Sequence, residues 1–317
     1  MIEVVKSGLY TTIQDVGRFG FQKYGMPVSG VLDKDAFRLA NWLVGNAINE
    51  AVLEITLTGP VLRFHKEVVI GITGADMQPK IDGKLVEMNS AIKVSKNSML
   101  SFGKLKNGCR TYLSVSGGFD VVHEMNSKAT YDYAKLGGLN GQALAAGDSL
   151  LLGNVDASFE EKKVPVHLVQ NSYSTMPVRV IEGPEFHLLS KAGKEVLFTC
   201  GFTVGSASNR MGVRLNEVVE LDLGSEMISS GIVQGTVQLP SSGMPIVLLA
   251  DAQTTGGYPR VLNVIKADLS ILAQQKPGDK IRFRKISLEK AQAVYYNKET
   301  EFTKLALHIE HKKRDLY

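Results

Sequence analysis

Histidine, cysteine and tryptophan are scarce in this chain, at six, two and one of 317 residues. His65, His123, His167, His187, His308 and His311 are scattered apart from a single His-x-x-His in the tail, and a zinc site needs more ligands than that pair offers. Cys109 and Cys200 sit in apolar, strand-like contexts with no metal-ligand spacing and no recognisable partner base, so neither a zinc ribbon nor a thiol nucleophile is indicated. Two buried, unlinked thiols in a reducing compartment are the expectation. No Gly-x4-Gly-Lys-Ser/Thr loop is present, the nearest approach (103–108) running into Cys109, and no Gly-x-Ser-x-Gly elbow occurs. These absences remove the P-loop nucleotide site and the hydrolase-type serine nucleophile. No apolar run approaches the ~20 residues needed to span a bilayer. The opening Met1-Ile2-Glu3-Val4-Val5-Lys6-Ser7 lacks both a basic region and a long apolar stretch, so it reads as a first strand, and a cytoplasmic location is expected. A net charge of +4 with no basic block other than His311-Lys312-Lys313-Arg314, read as a solvated end, argues against a nucleic-acid partner.

What the chain does contain is length enough for two cores, and short β-rich segments separated by turn signals. Strands are expected at 61–65, 68–72, 110–115, 149–152, 164–169, 178–181, 213–221 and 245–250. Helical patterns are few: 34–44, 266–274, 288–296 and a short turn at 185–189. This argues for barrels or sandwiches carrying a few helices, and against alternating βαβ units. The polar, aperiodic stretch 153–163 marks a domain boundary, giving domains at 1–160 and 161–317. A weak internal repeat supports the cut, since Gly147-Asp148 before Ser149-Leu150-Leu151-Leu152 resembles Gly278-Asp279 before Lys280-Ile281-Arg282-Phe283.

Two regions concentrate polar side chains among glycines. The first runs from Thr11-Thr12-Ile13-Gln14-Asp15-Val16-Gly17-Arg18 through Gly25-Met26-Pro27-Val28-Ser29-Gly30 to Asp33 and Ala40-Asn41-Trp42-Leu43-Val44-Gly45-Asn46. Asp33 reads as the cap of a helix whose apolar residues Ala36, Leu39, Ala40 and Leu43 recur at helical spacing, ended by Gly45-Asn46. Arg18 and the loop amides could converge near that helix start, a natural seat for an anion; taken singly, Asp33 also reads as no more than a cap and Arg18 as an ion pair. The second region, Ala250-Asp251-Ala252-Gln253-Thr254-Thr255-Gly256-Gly257-Tyr258-Pro259, follows an apolar strand and offers amides, hydroxyls, a carboxamide and a phenol for a carboxylate, phosphate or amide. Ser208-Asn209-Arg210-Met211-Gly212 and Gly235-Thr236-Val237-Gln238 likewise join strand-like residues to polar tips. The planar fork of Arg210 suits an anion, although it could also tie two loops together.

These motifs, in this order and spacing, resemble the allophanate hydrolase subunit 2 family, which includes the carboxyltransferase domain of urea carboxylase, the KipI antagonist KipA and the C subunit of the ATP-dependent 5-oxoprolinase. Two departures are Gln234 where proline is usual and Lys128 where arginine is usual, and Lys128 is left out of the site because lysine cannot reproduce a bidentate fork. The resemblance implies a mainly β fold of two cyclophilin-like barrels. It further implies lactam opening of 5-oxo-L-proline with ATP, with or without Mg2+, in a heteromeric complex whose other members are an A subunit, and a B subunit that is KipI-like. Regulation of a sensor kinase by KipI antagonism, or carboxyl transfer from biotin carried by another chain, are the alternatives; no biotinyl-lysine sequence exists here. The expected catalytic residues are Asp33, Asp76, Arg210 and Gln253, and the expected substrate- or nucleotide-binding residues are Arg18, Asn41, Gln238, Thr254, Thr255 and Tyr258. Arg18 and Arg210 would balance phosphate or carboxylate charge, Gln238 and Gln253 would grip the lactam, and Asp33 or Asp76 would hold a proton or a magnesium ion.

Overall fold

The computed structural model describes residues 1–154, 160–170, 173, 176–221 and 227–314. The chain forms two compact units, one of Met1–Arg18, Ser29–Asn171 and Glu301–Tyr317, the other of Phe19–Val28 and Ser172–Thr300. The chain therefore passes between units more than once. Part of the expected boundary segment, 155–159, lies outside the described residues. The architecture is mainly β, as the turn-punctuated sequence indicated, with four α-helices among the described residues.

In the first unit a six-stranded sheet has the order Ser149–Leu150, Ile2–Lys6, Val61–Phe64, Met99–Ser101, Lys80–Ile81, Lys84–Leu85. A five-stranded sheet has the order Tyr10–Gln14, Val52–Thr56, Asn107–Val115, Val68–Asp76, Ala91–Val94. Ile2, Val4, Leu62 and Phe64 from one sheet and Ile13, Leu53, Ile55, Ile70, Ile72 and Leu113 from the other share one apolar core. The opposite face of the five-stranded sheet is covered too, by helix α1 (Lys34–Leu43), whose Ala36, Phe37 and Ala40 pack with Val31, Val52 and Tyr112. Gly71 permits that approach: a Cβ there would lie 2.7 Å from the Ala40 carbonyl oxygen. Burial on both faces explains why Val52–Thr56 is buried almost throughout and why it does not alternate.

The second unit has a six-stranded sheet ordered Gly212–Arg214, Ile246–Leu248, Thr236–Gln238, Arg260–Val264, Val178–Glu182, Phe283–Lys285, the last pair parallel. A ribbon of only two residue pairs joins Ser230–Gly231 to Thr255–Gly256. The remaining helices are α2 (Lys191–Thr199), α3 (Leu269–Ala273) and α4 (Leu288–Arg314).

Several expectations are corrected. The segment 164–169 is a 3-10 turn over Val166–Leu168 rather than a strand, because Pro165 removes a ladder donor and leaves Val166 exposed. The expected strand 213–221 is a ladder only over Gly212–Arg214, since Glu217 turns aside to accept from the Thr203 amide and hydroxyl at 2.6 and 2.7 Å. Helix α2, unforeseen, is capped by Ser190, whose Oγ accepts from the Gly193 amide at 2.9 Å. Helix α4 continues far beyond residue 296 on good helix formers, through the tail residues 311–314. Cys109 is buried and not disulfide-linked, whereas Cys200, at the end of α2, is exposed. Among the described residues no helix is long and apolar enough to cross a membrane.

Candidate functional site

The ten expected site residues divide between the units, with Arg18, Asp33, Asn41 and Asp76 in the first and Arg210, Gln238, Gln253, Thr254, Thr255 and Tyr258 in the second.

In the first unit the strand Tyr10–Gln14 delivers Asp15 to a sharp turn. Its carboxylate accepts from the Gly17 amide at 2.8 Å, the Ser127 hydroxyl at 2.7 Å and the Lys128 amide at 2.7 Å. Arg18 is completely buried and donates from Nη2 to the Ala129 carbonyl. Gly30, at φ +81°, lies so close to this turn that a Cβ would fall 2.8 Å from both the Asp15 carbonyl oxygen and the Gly17 nitrogen. Lys128, left out of the site, commits its ammonium to Glu50 at 2.7 Å and the Phe119 carbonyl at 2.9 Å.

Asp33 caps α1, its Oδ1 accepting from the Asp35 and Ala36 amides at 3.1 and 3.0 Å. Its own amide donates to the Tyr112 hydroxyl at 2.8 Å, which donates in turn to Glu54 at 2.8 Å, and Glu54 also accepts from the Leu32 amide at 2.9 Å. Burial, then the Glu54 and Asp33 carboxylates, push the Tyr112 hydroxyl well above the usual tyrosine range, so it stays protonated and donating. Asn41 is wholly buried, donating to the Glu50 carbonyl at 2.7 Å and accepting from Ser114 at 2.6 Å and Asn46 at 3.3 Å. Asp76, at the end of Val68–Asp76, accepts from the Gln78 amide at 2.8 Å in a local turn. Among the described residues no three His, Cys, Asp or Glu side chains gather as a metal site requires.

In the second unit the loop after Ile246–Leu248 is held at both ends. Arg210 and Asp251, both buried, form a two-pronged pair, Nε to Oδ2 at 2.8 Å and Nη2 to Oδ1 at 3.1 Å, and the Asp251 amide donates to the Arg210 carbonyl at 3.1 Å. The Arg210 fork thus meets a carboxylate of the protein itself. Beyond it the Ile232 amide donates to the Thr254 carbonyl at 3.1 Å, Thr255 and Gly256 pair with Gly231 and Ser230, and the Leu239 amide donates to the Pro259 carbonyl at 2.9 Å. The loop thereby folds back over Gln238, with the side chains of Gln253, Thr255 and Tyr258 exposed and Thr254 half-buried. Gln238 is 1% exposed, and its Nε2 has no hydrogen-bond partner among the described residues. Arg260, cross-strand from Gln238, is matched by Glu185 at 2.8 and 2.7 Å, and its hydrogen bonds hold the Glu185 carboxyl below the usual range. So the structure joins Gln238 to the Gln253–Tyr258 loop and Arg210 to the root of that loop.

Sequence reasoning overlooked Asp15, Glu54, Asp251 and Ser230 as components. Glu54 carried a signal, being a carboxylate inside an apolar strand, and Asp251 stood within a motif already singled out.

Residues 24–285 match the model of the carboxyltransferase domain, subdomain A and B. The chain is 36% identical to the C subunit of the Escherichia coli 5-oxoprolinase over 96% of this chain and 98% of that one. The corresponding C subunit of the Haemophilus influenzae 5-oxoprolinase is also 36% identical, over 92% and 93% of the two chains. The crystal structure of the Kluyveromyces lactis urea carboxylase superposes with a TM-score of 0.89 at 31% identity, covering 96% of this chain but 29% of that one. The chain thus spans under a third of the urea carboxylase. It belongs to the carboxyltransferase domain, subdomain A and B, family.

Proposed function

We propose that this chain acts as the C subunit of an ATP-dependent 5-oxoprolinase, active together with an A subunit, and with a KipI-like B subunit. The observation that carries this reading is the correspondence over most of the chain, at 36% identity, with proteins of that name from two organisms. Overall, 5-oxo-L-proline, ATP and two waters would give L-glutamate, ADP and phosphate. The amide is the obstacle, because resonance resists attack by water, as its rotation barrier of ~18–20 kcal/mol reflects. ATP supplies the phosphoryl group whose transfer to the lactam oxygen would remove that resonance. In this reading Gln238 and the Gln253–Tyr258 loop contact the substrate, and Arg210 is a positioning residue that sets the loop through Asp251.

The test is co-expression with the two partner proteins, measuring ATP hydrolysis and glutamate release from 5-oxo-L-proline while each of the three chains is omitted in turn. Glutamate is expected only with all three. Turnover that persists without this chain overturns the reading, and a stable complex without turnover transfers it to KipI antagonism. Avidin-sensitive carboxyl transfer would assign the chain to biotin chemistry instead.

A further inference from the structure

The loop over Gln238 hides two polar atoms that no described residue satisfies. Gln238 Nε2 and Ser230 Oγ are both sealed from solvent and without a hydrogen-bond partner among the described residues. Buried polar atoms are paired as a rule, and an orphan needs a reason. Gly256 connects the two. A Cβ on Gly256 would run into Gln238 Nε2 and lie 3.3 Å from Ile232 Cδ1. Ser230 is the cross-strand partner of Gly256, and directly opposed residues project to the same face of a ladder. The Ser230 hydroxyl therefore projects toward the side of the ribbon on which Gln238 lies. The strand opposite Gln238 also shifts register between Val237 and Gln238, the kind of irregularity that re-aims a side chain.

The charges nearby are already matched. Arg210 is forked onto Asp251 and Arg260 onto Glu185. What the spot presents to a ligand is thus one N–H donor and one hydroxyl, over the apolar Ile232. A phosphate or carboxylate would want an uncommitted cation here. A cyclic amide would not: its ring forces the C=O and N–H onto one edge, an acceptor beside a donor.

We infer that Gln238 and Ser230 form a recognition site for the neutral edge of a lactam, covered by the Thr255–Gly256 ribbon, with the Gln238 amide donating to the lactam oxygen and the Ser230 hydroxyl accepting from its N–H. Both atoms are covered in this conformation, so the ligand reaches them when the ribbon lifts. The ribbon is short, held by two residue pairs, by the Ile232 amide on the Thr254 carbonyl at 3.1 Å and by Arg260 Nη1 on the Gly231 carbonyl at 3.0 Å, and a ladder of that length is marginal on its own. Gly256 is required because a Cβ there would run into Gln238 Nε2 when the ribbon closes. This inference rests on the reading of the chain as part of a lactam-opening enzyme, and it adds Ser230 and Gly256 to the site.

The test uses the full chain titrated calorimetrically with 5-oxo-L-proline, 2-pyrrolidinone and N-methyl-2-pyrrolidinone. Wild type is expected to bind the first two and to discriminate against the N-methyl compound. Gln238→Met, which keeps the volume and removes the orphan amide, should weaken lactam binding about tenfold or more, on the scale of one hydrogen bond. The same variant should melt no lower than wild type, which a structural amide would not allow. Ser230→Ala should erase the preference for 2-pyrrolidinone over its N-methyl analogue. Absence of saturable lactam binding to wild type, or unchanged binding in both variants as when the two atoms merely hold a buried water, overturns the site. A lower melting point for Gln238→Met overturns it as well. Assays of the assembled complex separate this from the broader reading: turnover undiminished by Gln238→Met removes the site and keeps the function. Lactam binding that depends on both residues, with no turnover by the complex, keeps the site and removes the function.

Discussion

Arg210 shows what a residue type can and cannot announce. Its planar fork is suited to an anion, and it has one, Asp251, at 2.8 and 3.1 Å. Removing one partner of a buried pair leaves the other charge stranded, so Arg210→Ala should cost about 3–5 kcal/mol. A lowered urea midpoint is the expected readout, with activity lost together with the fold. A folded, stable but inactive Arg210→Ala protein would instead return Arg210 to direct substrate contact. The partner was not legible because it lies 41 residues away, in a loop whose course depends on strand pairing. Gln238 is the converse case. Its amide type was legible as a hydrogen-bonding group, while the lack of a hydrogen-bond partner for its Nε2 among the described residues exists only in the folded molecule.

Helix α1 was the most legible element. Its cap, its apolar spacing and its end are local properties, and the helix found, Lys34–Leu43, falls within the expected 34–44. Asp33 accepts from the Asp35 and Ala36 amides as a cap does. Asp33→Ala should therefore cost about 1 kcal/mol, with Asp33→Asn nearly neutral; urea unfolding of the two variants measures the difference. Elements without a local signature were harder to read. Helix α2 holds Gly193 in its first turn, and its packing requires that glycine, because a Cβ would strike the Glu220 carbonyl. A residue that weakens a helix by propensity was here selected by close approach. The segment 164–169 failed for a different reason: its valines suggested a strand, but the pairing ends at Val164, whose amide donates to the Asn89 carbonyl at 2.8 Å, because Pro165 follows.

At the scale of the whole molecule, the faint Gly-Asp repeat is a duplicated piece of structure. In one unit the Val4 amide donates to Asp148 and the Gly147 amide to Val4, each at 2.8 Å; in the other, Val204 donates to Asp279 and Gly278 to Val204, each at 2.9 Å. The registers agree as well, Ile2 with Leu150 in one and Phe202 with Ile281 in the other. Both glycines have positive φ, +92° and +88°, with open space where a Cβ would go, so substitution meets conformational strain alone. Gly147→Ala and Gly278→Ala should then cost the same, roughly 1–2 kcal/mol. Hydrogen exchange should show faster opening at Val4 in the first variant and at Val204 in the second. By itself the sequence determined what depends on neighbouring residues: the capped helix, the turns before apolar strands, the mainly β class, and the loops rich in polar groups. Tertiary structure alone decided which charges neutralise each other, which segments pass between the two units, and which buried amide nitrogen has no hydrogen-bond partner among the described residues, because each of these depends on residues brought together from far apart in the chain.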